Sequence, residues 1–230
     1  MAKHGKNYQT AREKVEDITI SPAQGFEKVK DAAFAKFDES IDVDVRLGID
    51  PAKGDQVVRG SVVLPHNLGR KARVIVFAKD KYLEQAEAAG ADVVGSSDLV
   101  EKVAGGWLDF DYAVSTPDMM GAVGKLAKVL GPKGLLPNKK LGTVTFDVGA
   151  IVTDLKKGRS FFRNDKTGLV HFAIGKKSFD GDKLNDNLQA FFKALMSARP
   201  NTAKGKYIQK VCISSTMGPG VKIDCEELLK

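Results

Sequence analysis

The sequence predicts α/β and α+β structure in two domains: a discontinuous α+β domain made of residues 1–67 and 159–230, with a three-layer α/β domain, residues 68–158, inserted into it. Three observations predict this. Half-buried strands occur in both the first and the last third, while the middle repeats strand and helix at short spacing. The middle strands are apolar rather than alternating, as in a sheet covered on both faces. At 230 residues the chain is long enough to bury two cores.

The first third opens on a helix over Ser21–Phe37. Ser21 can cap it, Pro22 suits its first turn, and Phe26, Val29, Ala33 and Phe37 fall on one stripe. Ile41–Leu47 alternates apolar and polar residues throughout, which is a strand with one buried face. A polar turn, Gly48–Gln56, leads to a second strand over Val57–Leu64, and the two predict an antiparallel pair. Asp42 and Asp44 then lie on the solvent face, as a solvated edge rather than an acid–base pair.

In the middle, Ala72–Ala78, Ala91–Gly95 and Tyr112–Ser115 read as strands. Lys81–Ala89, Asp98–Ala104 and Asp118–Leu130 read as helices. The next stretch, Leu-Gly-Pro-Lys-Gly-Leu-Leu-Pro-Asn over Leu130–Asn138, cannot continue either element. Pro132 and Pro137 remove donors, and Gly131 and Gly134 permit positive φ. It is a rigid basic loop but no phosphate-gripping one, since Gly-x-x-x-x-Gly-Lys-Ser/Thr does not occur. Nor does Gly-x-Gly-x-x-Gly follow the first strand of this segment, which argues against a dinucleotide site.

In the last third, Phe161–Arg163 and Leu169–Ile174 flank Asn164–Gly168 as a hairpin, with Gly168 at the flexible position. Asp182–Ala198 is a helix with Leu184, Leu188, Phe191, Phe192 and Leu195 buried, and Tyr207–Ser214 is a final strand. Gly69 and Gly158 stand where the inserted segment would begin and end, as hinges or plain turns.

Net charge is +7 and unevenly spread. Residues 1–67 carry 10 Lys/Arg against 11 Asp/Glu, residues 68–158 carry 13 against 11, and residues 159–230 carry 13 against 7. A cationic last third favours a polyanionic partner, through phosphate contacts that release counterions. No apolar run reaches the ~20 residues of a bilayer span, and Met1–Gln9 does not read as a secretory signal. Cys212 and Cys225 read as buried thiols of a reducing cytoplasm. His4, His66 and His171 stand at no ligand spacing, so no metal is expected. Without a nucleophile elbow or triad, no catalytic residue and no cofactor is expected.

Three polar clusters remain. Lys36 and Phe37 with Ser40 follow the first helix, where Phe37 is a core residue or a nucleotide-facing aromatic. Lys166, Thr167 and Gly168 with His171 mark the hairpin. Ser214–Gly220 breaks a strand with hydroxyls and glycines suited to ribose hydroxyls and phosphates. All three belong to the discontinuous domain. Two rival classes are an enzyme using the middle segment for a nucleotide cofactor, and a protein–protein adaptor whose charge is incidental.

On Lys125–Asn138, Arg163–His171, Ala203–Ile208 and Ser215–Gly218 the chain resembles the bacterial L-one family of the large ribosomal subunit, proteins of the mobile stalk. The resemblance covers essentially the whole length. It implies a Rossmann-like inserted domain, binding to 23S ribosomal RNA at the stalk, participation in release of exit-site transfer RNA, and repression of its own operon messenger RNA. It further implies a cytoplasmic, ribosome-bound protein that is a monomer when free. RNA-binding residues carried over are Glu27, Lys36, Phe37, Ser40, Lys166, Thr167, Gly168, His171, Ser215, Thr216, Met217 and Gly218. On this basis Phe37 and Met217 pack against ribose, and Glu27 meets a sugar hydroxyl or a base donor. Lys133, Lys139 and Lys140 are expected to make secondary RNA contacts; the loop beside them has a structural role as an equal alternative.

Overall fold

The computed structural model describes residues 5–15, 18–69, 72–79 and 81–224. Its elements in chain order begin with α1 (Lys6–Glu13), α2 (Pro22–Ala32), β1 (Ser40–Leu47), β2 (Arg59–Val63), β3 (Val74–Phe77), α3 (Lys81–Ala88), β4 (Val93–Gly95), α4 (Ser97–Ala104) and β5 (Tyr112–Ser115). They continue with α5 (Met120–Val123), α6 (Ala127–Leu130), α7 (Val148–Lys156), β6 (Arg159–Arg163), β7 (Leu169–Lys176), α8 (Gly181–Ser197), β8 (Ile208–Ser215) and β9 (Val221–Ile223). The fold is mixed α/β with several sheets. The chain divides into two compact units, Met1–Leu68 with Phe161–Lys230, and Gly69–Ser160.

The larger unit is built on a four-stranded sheet of order β7-β1-β8-β9, antiparallel throughout. Alternation in β1 turns Ile41, Val43, Val45 and Leu47 to a face that α2 and α8 cover, and all four are buried. The α8 stripe supplies Leu184, Leu188, Phe191, Phe192 and Leu195. Phe191 stacks on Phe172 with ring centroids 4.5 Å apart, and Phe162 meets both rings edge-on. Each such aromatic contributes roughly 1.5–3 kcal/mol by leaving water, so this stack anchors the helix to the sheet.

The smaller unit holds a three-stranded parallel sheet of order β4-β3-β5. All four residues of β3 are buried, the mark of a strand covered on both faces. Ile75 and Phe77 pack with Leu99, Val103, Met119 and Leu130. Helices α3 and α7 pack together, α7 touching β3 and β5.

Several expectations need correction. Helix α2 stops at Ala32, not Phe37, because Ala33 is already extended with ψ 116°. Tertiary partners take the backbone groups there: Lys177 Nζ donates to the Ala33 carbonyl at 2.9 Å, and Ala35 N–H donates to Glu39 Oε1 at 2.8 Å. Phe37 therefore leaves the stripe and is 56% exposed. Ser21 stands at the N-cap, with Pro22 in the first turn, but its hydroxyl makes no capping bond.

The second strand does not pair with the first. Strand β2 pairs with β6 in a separate two-stranded sheet, and Asn164 fixes that choice by accepting Val58 N–H at 2.8 Å on Oδ1. Strand β1 is accordingly central, so Asp42 and Asp44 lie half-buried on the sheet's open face rather than on an edge. The hairpin turn forms with Gly168 at φ +81°, but β6 and β7 then join different sheets, and the turn is closed by the isolated Asn164–Val170 bridge and by Asp165 N–H donating to the Leu169 carbonyl at 2.8 Å. Cys212 is half-buried on the open face opposite Asp44, not in the core; Cys225 lies outside the described residues. The Asp118–Leu130 helix alternates α and 3-10 turns, with Gly121 and Gly124 inside it as weak helix formers. Gly131 stays helical at φ −58°, and only Gly134 of the loop takes positive φ. Gly69 and Gly158 also have positive φ.

Candidate nucleic-acid interface

The Ser40 end of β1 collects one group of candidates. Thr216 N–H donates to the Ser40 carbonyl at 3.1 Å, and Ser40 N–H donates to Thr216 Oγ1 at 3.0 Å. Lys176 Nζ donates to Ser40 Oγ at 2.9 Å. The turn leaving β8 closes on Ser215, whose Oγ accepts Gly218 N–H at 3.1 Å. Ser215 is buried, while Lys36, Thr216 and Met217 are exposed. Phe37 and Met217, 56% and 51% exposed, put apolar surface into solvent beside these hydroxyls. Glu27 is exposed on α2, more than a turn before its end.

Glu39 holds this group together, and the sequence reading passed over it. It has no exposed surface, yet its carboxylate accepts Ala35 N–H at 2.8 Å and Met217 N–H at 3.0 Å. Burial pushes its carboxyl up, but the Ser215 hydroxyl, the Met217 and Ala35 N–H groups and the Lys177 charge outweigh burial and hold it below the usual carboxylate range. A buried, ionised carboxylate thus joins the 33–39 segment to the 215–218 turn. Its signal was parity: position 39 shares the face of Ile41, Val43 and Val45, and a carboxylate at core parity needs a partner set.

The second group lies at the other end of the same strand. Leu47 N–H donates to the Gly168 carbonyl at 3.0 Å. Asp165 organises the turn by accepting Thr167 N–H and Leu169 N–H at 2.8 Å each and the Thr167 hydroxyl at 2.6 Å. The Thr167 hydroxyl first, then these N–H groups, hold the Asp165 carboxyl below its usual range. Lys166 and Thr167 are exposed. His171 Nδ1 lies 2.5 Å from Asp44 Oδ1, with its Nε2 3.9 Å from Asp165 Oδ2.

Ser40 and Leu47 are seven residues apart along β1, roughly 23 Å at strand rise. The candidates therefore form two patches at opposite ends of the sheet, with His171 between them opposite Asp44. Between them lies an acidic centre. Burial, then the neighbouring Asp44 charge, raises the Asp42 carboxyl, with Lys176 and His171 opposing. The ends offer lysines, hydroxyls and exposed apolar groups; the middle offers carboxylates, one of them covered by His171.

Lys133, Lys139 and Lys140 are exposed on the smaller unit. Asn138 closes the loop beside them: its N–H donates to Thr143 Oγ1 and its Oδ1 accepts Lys140 N–H, both at 2.8 Å. Among the described residues there is no group of three or more His, Cys, Asp or Glu placed to hold a metal. No described helix is long and apolar enough to cross a membrane. Compared with known protein families, residues 29–219 match the model of the Ribosomal protein L1p/L10e family.

Proposed function

Because the chain belongs to the Ribosomal protein L1p/L10e family, structural RNA-binding proteins of the large ribosomal subunit rather than enzymes, we propose that it binds 23S ribosomal RNA at the mobile stalk through both patches. In this reading residues 1–67 with 159–230 form the RNA-binding domain, and 68–158 a Rossmann-like insertion that adds contacts through Lys133, Lys139 and Lys140. The protein acts in the cytoplasm on the ribosome, is monomeric when free, and takes part in release of exit-site transfer RNA. A messenger RNA from its own operon that presents the same shape competes for the same patches, so excess protein represses its own synthesis.

The observation that carries this reading is the Glu39-locked turn, which sets exposed Thr216 and Met217 beside Ser40 and Lys176. The Thr216 hydroxyl oxygen and the turn's carbonyls accept from ribose 2′-hydroxyls in a shallow minor groove, the turn's N–H groups being bonded to Ser40, Glu39 and Ser215. Met217 and Phe37 pack on ribose or an unstacked base, worth about 1–3 kcal/mol per stacked base. Lys36 and Lys166 neutralise phosphates, the Thr167 hydroxyl oxygen accepts at the far patch, His171 Nε2 donates between the two, and Glu27 accepts from a sugar hydroxyl or base amine. The test is filter binding of 23S RNA by the Thr216→Ala/Met217→Ala variant. Its affinity is expected to fall at least tenfold with an unchanged melting curve; wild-type affinity would remove the site.

A further inference from the structure

At the Leu47 end of the sheet lies a groove of about 850 Å³ whose lining includes Arg46, Lys53, Thr167, Lys204, Lys206 and Gln209. A neighbouring hollow of about 310 Å³ shares Lys206 and Gln209 and carries the surface on to Lys210 and Lys222. The acidic residues along both are Asp50, Asp55 and Asp224, and Asp50 reaches Lys53 at 3.5 Å with both side chains largely exposed. Among the described residues, six cations therefore face three carboxylates along one continuous surface, and none of the six is among the RNA-binding residues carried over from the resemblance.

The rim is firmly built. Arg199 Nη2 donates to the Ala203 and Gly205 carbonyls at 3.2 and 3.4 Å. Tyr207 is buried, its hydroxyl donating to the Leu195 carbonyl at 3.3 Å. Gly48 N–H donates to the Tyr207 carbonyl at 2.7 Å, and a Cβ on Gly48 would meet the Lys206 carbonyl oxygen at 2.3 Å. Lys204 and Lys206 thus stand exposed on a short loop that is tied at both ends.

We propose that this groove is a third RNA contact: a track for the phosphodiester backbone of the same RNA where it leaves the Lys166–Gly168 turn. Thr167 lines the groove, so the track continues directly from the second patch. The lysines supply point charges for phosphate oxygens, while Gln209 offers an amide to a ribose hydroxyl. Wide opening and scattered exposed cations suit a polymer backbone rather than a small anion, which needs convergent buried donors. The inference rests on the RNA-binding reading above.

The full-length triple variant Lys53→Gln/Lys204→Gln/Lys206→Gln separates the two. Its affinity for a 23S RNA transcript is measured from about 50 to 300 mM salt, with hydroxyl-radical footprinting in parallel. Each lost phosphate contact lowers the slope of log K against log salt by about 0.7–0.9. Expected are a slope shallower by about 2, at least tenfold weaker binding near 100 mM salt, and loss of one footprint segment adjoining that lost in Lys166→Gln. The corresponding Lys→Arg triple variant restores all three. A wild-type slope and footprint in the Gln variant, with binding still lost in Thr216→Ala/Met217→Ala, would overturn the groove and leave the functional reading standing. An equal slope change on scrambled RNA without loss of a footprint segment also overturns it. Failure of the wild-type protein to bind removes both.

Discussion

Replacing Glu39 by Gln tests how the Ser40 patch is held. The side chains are isosteric, so no cavity forms, and the effect is confined to charge and hydrogen bonding. Glu39 accepts from Ala35 N–H with one oxygen and from Met217 N–H with the other. A Gln side chain has one carbonyl oxygen, so its amide nitrogen must face one of those N–H groups, donor against donor. Losing one charge-assisted bond and stranding a buried donor costs about 3 kcal/mol. If the larger unit bears this loss as a whole, Tm falls by roughly 10 °C, at about 3 °C per kcal/mol. If only the 33–39 and 215–218 segments let go, Tm holds and RNA affinity falls up to about 100-fold, since binding must reorder them. Calorimetry and filter binding distinguish the two. The pH dependence has a definite sign: the folded carboxyl lies below its usual range, so its stabilisation is complete above the unfolded value near 4.3. That stabilisation is lost as pH falls through the folded value, and the difference between wild type and Glu39→Gln shrinks with it. A variant that melts and binds like wild type at neutral pH would refute the lock.

Two more substitutions separate surface chemistry from scaffold. Phe37→Ala removes a side chain that is 56% exposed, so stability should move by no more than about 0.5 kcal/mol. RNA affinity should fall about tenfold or more, and a large loss of Tm would return Phe37 to the core. Gly48→Ala forces a Cβ to 2.3 Å from the Lys206 carbonyl oxygen, a backbone clash expected to cost about 2 kcal/mol in chemical denaturation. It should also loosen the Lys204–Lys206 rim, seen as faster amide exchange there.

Periodicity made the secondary structure largely readable because burial acts on each element locally. The alternation of Ile41–Leu47 and the α8 stripe are found almost where they were expected. Pairing was not readable, because partners of β1 come from more than a hundred residues away and the nearer Val57–Leu64 looked equally suitable. Polar side chains add to the choice, Asn164 by accepting Val58 N–H and Glu39 by accepting Met217 N–H, and such bonds have no periodic trace. The same limit hid the end of α2, which is set by Lys177 and Glu39 rather than by helix propensity. Hydroxyls and glycines drew notice to both turns, yet their separation along β1 follows only from strand register. The groove was invisible, as Lys53 and Lys206 meet only in three dimensions.

Ser40 and Thr216 are 176 positions apart, and this has a consequence during synthesis. Chains fold as they emerge, N-terminal parts first, so Gly69–Ser160, one uninterrupted stretch, can compact while β1 still lacks both neighbours. The Ser40 patch comes into being only when β8 and the turn after it, Ser215–Gly218, have left the exit tunnel. A half-made chain therefore lacks this patch altogether, and under the proposed reading it holds no RNA there.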